Sequence, residues 1–175
     1  MSDKPKQLDI SKIHTLVDLF QARVAASPGQ PAYRQYLPGL NRWHSYTWND
    51  LASRVNAWSA SLANEQLEPG ERIAIMASNR PDWIAADIAA QSLGLVVVAL
   101  FSEDTAGSAG STLEHAGASL LVVEDPQWWQ AISANHALPQ IRRVVALKPA
   151  SGYNDDERVI ALSNWLDQTG AAPRS

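Results

Sequence analysis

The sequence predicts an α/β fold in which helices cover a mainly parallel, doubly wound sheet. Residues 72–77 form a short apolar run between turn residues, which is typical of a buried strand. Residues 82–93 are apolar on nearly every side of a helix that Pro81 would begin. Residues 95–100 form a second apolar run without alternation, as in a parallel strand covered on both faces. The three segments together predict a strand–helix–strand unit.

The first residues of the chain predict a lead-in followed by a helix. Residues 1–14 are polar and mixed in charge, so we expect them to be flexible. Thr15 followed by Asp18 is typical of a capped helix N-terminus, and residues 15–26 then show helical spacing. The apolar stripe of this amphipathic helix consists of Leu16, Leu19, Phe20 and Val24.

A small hairpin and a second helix are predicted next. Residues 32–36 and 42–46 are short aromatic-containing runs around a Pro-Gly loop, which indicates a β-hairpin. Thr47 with Asp50 repeats the cap pattern, and the helix should continue to Asn64. Its apolar positions are Leu51, Val55, Trp58 and Leu62, which we expect to pack in the core.

Gly94 should end the central helix, because the position after a helix favours a positive φ. The crossover at residues 102–116 should be helical in part. Gly107 and Gly110 each cost about 1 kcal/mol relative to alanine inside a helix, so we expect this helix to begin late or to be loosely ordered.

The rest of the chain continues the alternation of strands and helices. Residues 120–123 and 144–147 are apolar runs that predict two further strands of the parallel sheet. Pro126 begins a segment rich in tryptophan between them. Residues 148–158 form a polar loop, and residues 163–166 indicate a last short helix.

Composition excludes several classes of function. The chain of 175 residues is 46% hydrophobic with a formal charge of −4, and a nucleic-acid-binding protein would be basic. No cysteine is present, and no two histidines have the spacing of a metal site. The longest apolar run is about a third of the ~20 residues that span a bilayer, and no signal peptide is evident. We therefore expect a cytoplasmic protein with at most peripheral membrane contact.

Motifs for catalysis are missing from the sequence. Residues 107–111 are the best candidate for a phosphate-binding loop, but they fit neither glycine pattern of such loops, and Glu103 and Asp104 just before them would repel phosphate. No nucleophile motif is present either. The residues alone therefore predict no catalytic, cofactor-binding or metal-binding residue.

Several segments together resemble the opening of AMP-forming acyl-CoA synthetases, in particular the long-chain fatty acid branch. The similar segments, in the same order and spacing, are TLVDLF (15–20), YTWNDL (46–51), EPGERIAI (68–75), SNRPDW (78–83), GLVVVAL (94–100), HAGA (115–118), VVED (122–125) and residues 160–166. Each segment is weak alone, because it contains turn and core signals. Their shared register over nearly the whole chain identifies the chain as a member of this family.

The resemblance implies an enzyme that uses ATP and Mg²⁺ to form an acyl-adenylate from a fatty acid and then transfers the acyl group to coenzyme A. The family's phosphate loop, nucleotide contacts and catalytic lysine correspond to sequence beyond Ser175, so no site residue is carried over and this chain alone should be inactive. The expected organisation is a lead-in (1–14), an α/β subdomain (15–147), and a loop, short helix and linker towards the catalytic core (148–175).

Two classes of function stay open at this point. One is the N-terminal part of a long-chain fatty acid–CoA ligase, or of an acyl-AMP ligase; the linker-like composition of residues 170–175 favours it. The other is a free-standing interaction module derived from the same subdomain. The expected partners are the catalytic core of the same enzyme and a second copy of the chain, because an uncovered apolar face should self-associate. Acyl chain length is not encoded in these motifs.

The tryptophans give two further expectations. Trp83, in the first part of the central helix, should be buried, so that its replacement by alanine would largely unfold the chain. In contrast, four tryptophans have no obvious apolar partner within the chain and should contribute to the uncovered face. These are Trp43, Trp128, Trp129 and Trp165.

Overall fold

Strands and helices alternate along the described residues, 7–149 and 156–168, of the computed structural model. The strands are β1 (Pro31–Leu37), β2 (Arg42–Thr47), β3 (Arg72–Met76), β4 (Val96–Leu100), β5 (Ala118–Val123), β6 (Arg143–Ala146) and β7 (Val159–Ala161). The helices are α1 (Leu16–Ala26), α2 (Trp48–Asn64), α3 (Pro81–Ser92), α4 (Ala106–Ala116), α5 (Pro126–Ser133) and α6 (Leu162–Asp167). Short 3-10 turns lie at Ile10–Lys12 and Pro38–Leu40. The start of the expected lead-in, the middle of the polar loop and the linker-like tail lie outside the described residues.

Five strands form one parallel sheet in the order β4-β3-β5-β6-β7, and β1 pairs with β2 in a separate antiparallel hairpin. Alternate side chains of the central strands enter two apolar layers. Ile75 and Val122 belong to a cluster with residues of α2 and α3, whereas Met76 and Val123 belong to a cluster with residues of α4 and α5. Helices therefore cover both faces of the sheet, and the predicted fold class is confirmed.

Both predicted helix caps are present. Thr15 Oγ1 accepts a hydrogen bond from the N–H of Asp18, and Asp18 Oδ2 accepts one from the N–H of Thr15, each at 3.0 Å. Thr47 and Asp50 make the same reciprocal pair at 3.1 and 2.8 Å. Backbone donation, from His14 in the first case and from Thr47 in the second, lowers the pKa of both carboxyl groups. The caps satisfy N–H groups that a helix start leaves unpaired, which fixes where α1 and α2 begin.

The core beneath α2 is organised around two tryptophans. The four apolar positions predicted for this helix are all buried. Trp58 is fully buried, and its ring meets that of Trp165 edge to face with centroids 5.2 Å apart. Trp165 Nε1 also donates a hydrogen bond to Glu65 Oε1 at 2.7 Å, just after the end of α2. These contacts fasten α6 to α2 across about a hundred residues of sequence.

The prediction that the tryptophans lack partners within the chain is therefore wrong for three of them, including Trp128, which packs against the second apolar layer. Trp165 is buried against Trp58, and Trp129 is buried in the second apolar layer. Trp129 Nε1 donates to Asp156 Oδ2 at 2.9 Å, and the guanidinium of Arg158 lies 4.9 Å from its ring centre. Hydrogen bonds from Arg158 lower the pKa of Asp156 to about 2, although burial opposes this shift. Trp128 is half-buried, and only Trp43 of the four is largely exposed.

Helix α1 is less buried than its apolar stripe predicted. Leu16 and Leu19 are 57% and 41% exposed, and no residue of α1 is fully buried. Phe20 is the residue of the stripe that packs against the core, with its ring 6.1 Å from that of Trp48. The helix lies on the outside of the first helical layer, and Phe20 attaches it to the core.

Strand β4 is the edge of the sheet, and its two faces are covered only in part: Val97 packs against the first apolar layer and Val98 against the second. It pairs with β3 alone, and Val96 is 47% exposed. In contrast, all six residues of β5 are buried between two neighbouring strands. The opposite edge is β7, a three-residue strand that the sequence analysis did not predict.

Helix α4 begins at Ala106, as expected for a crossover that starts late, and it contains both glycines. A Cβ atom on Gly110 would lie 2.2 Å from Cδ2 and 2.5 Å from Cγ of His136, which follows α5. A Cβ atom on Gly107 would meet nothing within 4 Å. Gly110 therefore permits the close approach of His136, whereas Gly107 has no such packing role.

The two glycines should respond oppositely to replacement by alanine. Gly110→Ala forces His136 to move and should lower the free energy of unfolding by about 1–3 kcal/mol. Gly107→Ala keeps the helix, removes backbone freedom from the unfolded chain and should raise it by about 0.5–1 kcal/mol. Urea denaturation followed by circular dichroism measures both. A stabilised Gly110→Ala variant would show that His136 does not lie against this helix.

Candidate functional site

A ligand-binding site is expected at the carboxyl ends of β3 and β5. In open parallel sheets, ligands bind in the crevice where the strand order reverses. The chain passes from β3 to β4 on one side and then returns to β5 on the other side of β3. The reversal therefore lies between the loop that begins at Ala77 and the loop that begins at Glu124.

A hydrogen-bonded pair of residues bridges the two loops of this crevice. Glu124 Oε2 accepts hydrogen bonds from the backbone N–H of Ser78 at 2.9 Å and from its hydroxyl at 2.6 Å. Burial alone would raise the pKa of Glu124, but the Ser78 hydrogen bonds and the positive charges of Arg80 and Lys148 bring it below its ordinary value. The carboxylate is therefore ionised at neutral pH and is already occupied by partners from the chain.

The charges beside this pair also neutralise one another. Arg54 Nη1 lies 2.5 Å from Oδ1 of the buried Asp82, and Arg80 Nη1 lies 3.8 Å from Glu124 Oε1. Arg80 Nε lies 3.5 Å from Asp82 Oδ2, but the angle makes no hydrogen bond, so this nitrogen is buried without a hydrogen-bond partner in the described part of the chain. Two cations face two anions, which leaves little net charge to attract an ionic ligand.

A cavity of about 340 Å³ adjoins the cluster. Trp83 in its wall is half-buried, which corrects the expectation that this side chain is buried, and Phe101 at the end of β4 is 79% exposed. Its polar side chains include hydroxyl and amide groups, and none of the described residues that line it is a lysine or an arginine. The lining residues are Ala77, Ser78, Asn79, Trp83, Ala99, Leu100, Phe101 and Ser102.

The loop candidate at residues 107–111 does not fit ATP phosphates. This rejected candidate lies inside α4, and the hydroxyl oxygen of Thr105 caps this helix by accepting a hydrogen bond from the N–H of Ser108 at 3.2 Å. Asp104 just before it accepts the N–H of Phe101 at 3.1 Å. Within residues 7–149 and 156–168, no three histidine or acidic side chains gather as metal ligands.

The cluster of Ser78, Arg80 and Glu124 was not singled out by the sequence analysis. Ser78 and Arg80 belong to the SNRPDW segment, and Glu124 belongs to VVED, so the resemblance did mark both loops. Nothing in the local sequence indicated that the two segments hydrogen-bond to each other across 46 positions. This contact gives the motif a structural role in joining the ends of β3 and β5.

Of the helices in the part of the chain that the structure describes, none has both the length and the apolar character needed to cross a membrane.

Comparisons with known proteins identify relatives of the chain. A long-chain-fatty-acid–CoA ligase of Haemophilus influenzae is 31% identical over 119 residues, which are 67% of this chain and 20% of that ligase. An uncharacterized protein of Mycobacterium tuberculosis is 26% identical over 110 residues, which are 63% of this chain and 61% of that protein. The chain spans about a fifth of the length of the curated ligases that it matches.

Solved structures agree on the fold. The anthranilate CoA ligase AuaEII, solved in complex with anthranoyl-AMP, superposes with a TM-score of 0.75 at 14% identity, over 96% of this chain and 31% of that chain. The family model described as AMP-binding enzyme matches residues 20–173, which is most of the sequence. The chain therefore belongs to the AMP-binding enzyme family, as the resemblance of its motifs predicted.

Proposed function

We propose that this chain is the N-terminal α/β part of a long-chain fatty acid–CoA ligase. The observation that carries the proposal is the family match over residues 20–173 together with the similarity to fatty acyl-CoA ligases. The parent enzyme would use ATP and Mg²⁺ to convert a fatty acid to an acyl-adenylate, and would then form the thioester with coenzyme A. Because the identity to each of these ligases is low, the similarity supports the class of reaction more strongly than it supports a particular chain length of the acid.

Within that enzyme, the chain would act as a scaffold. The ionic groups at the reversal point of the sheet are paired with one another, and residues 107–111 are helical rather than a phosphate cradle. No step of the reaction is therefore assigned to the described residues. Their contribution is to join the ends of β3 and β5 through Ser78 and Glu124 and to carry the wall of the adjoining cavity.

The scaffold role predicts that the isolated chain does not bind ATP. Phosphate recognition needs free backbone N–H groups and a cation, and at the reversal point of the sheet the N–H of Ser78 and the cations of Arg54 and Arg80 already have carboxylate partners. Isothermal titration calorimetry of the 175-residue chain with ATP and Mg²⁺ should give no saturable heat. A saturable curve with a dissociation constant in the micromolar range would show that the chain has a nucleotide site of its own, and the scaffold role would be wrong.

A second candidate is a free-standing interaction module. It is favoured by the uncharacterized mycobacterial relative, which is only about 180 residues long because 110 residues make up 61% of it. The two candidates differ in the size of the native protein. Detection with an antibody to this chain should give a band near 19.1 kDa for a module, and one about three and a half times larger for a ligase, because 119 residues are 20% of the Haemophilus ligase. An acyl-AMP ligase is an alternative within the first candidate, distinguished by the absence of thioester product.

We also propose that the isolated chain self-associates through β4. This edge strand is apolar and has neither a charge, a proline nor a bulge, the features that protect natural edges from pairing. Sedimentation velocity at micromolar concentration should show a dimer. Val96→Lys should shift it to monomer, whereas Leu16→Lys, at an exposed apolar residue away from β4, should not. A wild-type chain that sediments only as a monomer would contradict this proposal.

A further inference from the structure

The β1–β2 hairpin has an unusual charge for this chain. The protein carries a net charge of −4, yet no acidic residue occurs between Asp18 and Asp50. The hairpin itself contains Arg34, Arg42 and His44 and is therefore basic. An anionic partner would meet no repulsion from the hairpin's own side chains.

The strand register separates the hairpin into two faces. Gln35 pairs with His44 and Tyr33 pairs with Tyr46 on the inner face, where the guanidinium of Arg54 from α2 lies 5.7 Å from the Tyr46 ring centre. The outer face carries the alternate residues. It consists of Arg34, Tyr36, Trp43 and Ser45, all of which are exposed.

The outer face combines aromatic, aliphatic and cationic groups. Trp43 and the nearby Leu40 are each 60% exposed, and Tyr36 is 42% exposed. The rings of Tyr36 and Trp43 lie 5.6 Å apart, and the guanidinium of Arg34 lies 5.8 Å from the Trp43 ring centre. These contacts hold the aromatic rings and a positive charge together at one surface.

This combination fits the interface of an anionic membrane. Tryptophan and tyrosine are enriched at the level of the lipid headgroups, where one end of the ring is apolar and the other is hydrated. Arginine is attracted to anionic headgroups, and an exposed leucine gains by entering the acyl region. A nucleic acid fits less well, because the chain has an isoelectric point near 5.5 and the hairpin offers only two arginines.

We propose that the outer face of the β1–β2 hairpin, defined by Arg34, Tyr36, Leu40 and Trp43, binds the surface of an anionic lipid bilayer. Attachment is peripheral and reversible, since few apolar groups are available for insertion. The proposal depends on the hairpin alone and does not rest on the ligase activity of the parent enzyme.

Vesicle cosedimentation of the full 175-residue chain tests the proposal. Vesicles of phosphatidylcholine containing roughly one-third phosphatidylglycerol should bind the chain, and pure phosphatidylcholine should bind it much more weakly. Arg34→Gln should reduce the partition coefficient by about fivefold. Leu40→Ser and Trp43→Ala should each weaken binding as well, with circular dichroism confirming that the variants are folded.

Matched controls lie elsewhere on the surface. Arg72→Gln removes an exposed arginine at the start of β3, and Phe101→Ala removes an exposed aromatic ring after β4, and neither should change vesicle binding. The proposal would be overturned by equal binding to neutral and anionic vesicles, by controls that lose as much binding as the hairpin variants, or by no vesicle binding at all. Binding of a single-stranded oligonucleotide without vesicle binding would also overturn it and assign the face to nucleic acid.

Discussion

Replacing Trp58 by alanine is expected to unfold most of the chain. The side chain is fully buried in the layer formed by α2 and α3, and its ring contacts Trp165 at 5.2 Å, so the substitution also removes the surface on which α6 packs. Truncation of a buried tryptophan costs about 3–5 kcal/mol, a large part of the ~5–15 kcal/mol that stabilises a typical domain. Urea denaturation followed by circular dichroism measures the loss.

Two variants test whether the loss of stability comes from the burial of Trp58 or from the removal of a tryptophan in general. Trp43→Ala, on the exposed hairpin face, should cost less than ~1 kcal/mol. Trp58→Phe should cost less than Trp58→Ala, because it keeps most of the ring and removes an Nε1–H that is buried without a hydrogen-bond partner in the described part of the chain. A Trp58→Ala variant that unfolds at the same urea concentration as the unchanged protein would show that the core does not depend on this contact.

Local chemistry explains why much of the fold could be predicted from sequence. Thr15 and Thr47 each have an aspartate three residues later, and this spacing alone produces the two capping boxes. Gly94 and Gly117 adopt φ values of 73° and 60° at the ends of α3 and α4, which requires nothing beyond the chain next to them. Elements whose boundaries depend on residues nearby in the sequence could therefore be predicted.

Properties that depend on strand order could not be predicted in the same way. The apolar run at residues 95–100 is as hydrophobic as that of β5, yet β4 lies at the edge and β5 lies inside the sheet. The three residues of β7 are too few to show a period, and they are recruited by pairing with β6. The exposure of a strand depends on its place in the sheet, and the hydrophobicity pattern along the chain does not specify that place.

Tertiary contacts determine which aromatic residues are buried and which partners they have. Trp83 lies in an apolar helix and was expected to be buried, but its place in the first turn of α3 brings it to the rim of a cavity, where it is half-buried. Replacement of Trp83 by alanine should therefore cost less than replacement of Trp58. Trp165 lacked an evident partner in sequence because its partner lies 107 positions earlier. The Ser78–Glu124 pair at the candidate site has the same long-range origin.

We propose that this chain is a scaffold of an acid-activating ligase and has no catalytic capacity by itself. Activation of a carboxylate with ATP requires groups that stabilise charge on the reacting phosphate, and the ionic groups at the reversal point of the sheet are already paired with each other. The defining partial reaction is the exchange of pyrophosphate into ATP that depends on an added fatty acid.

Fatty-acid-dependent pyrophosphate exchange by the purified chain is the most direct measurement. We expect the rate with the 175-residue chain to equal that of a boiled control, while a long-chain fatty acid–CoA ligase assayed in parallel exchanges pyrophosphate. Exchange by the chain above the boiled control, abolished by omitting the fatty acid, would show that it forms an acyl-adenylate unaided and would contradict the scaffold account.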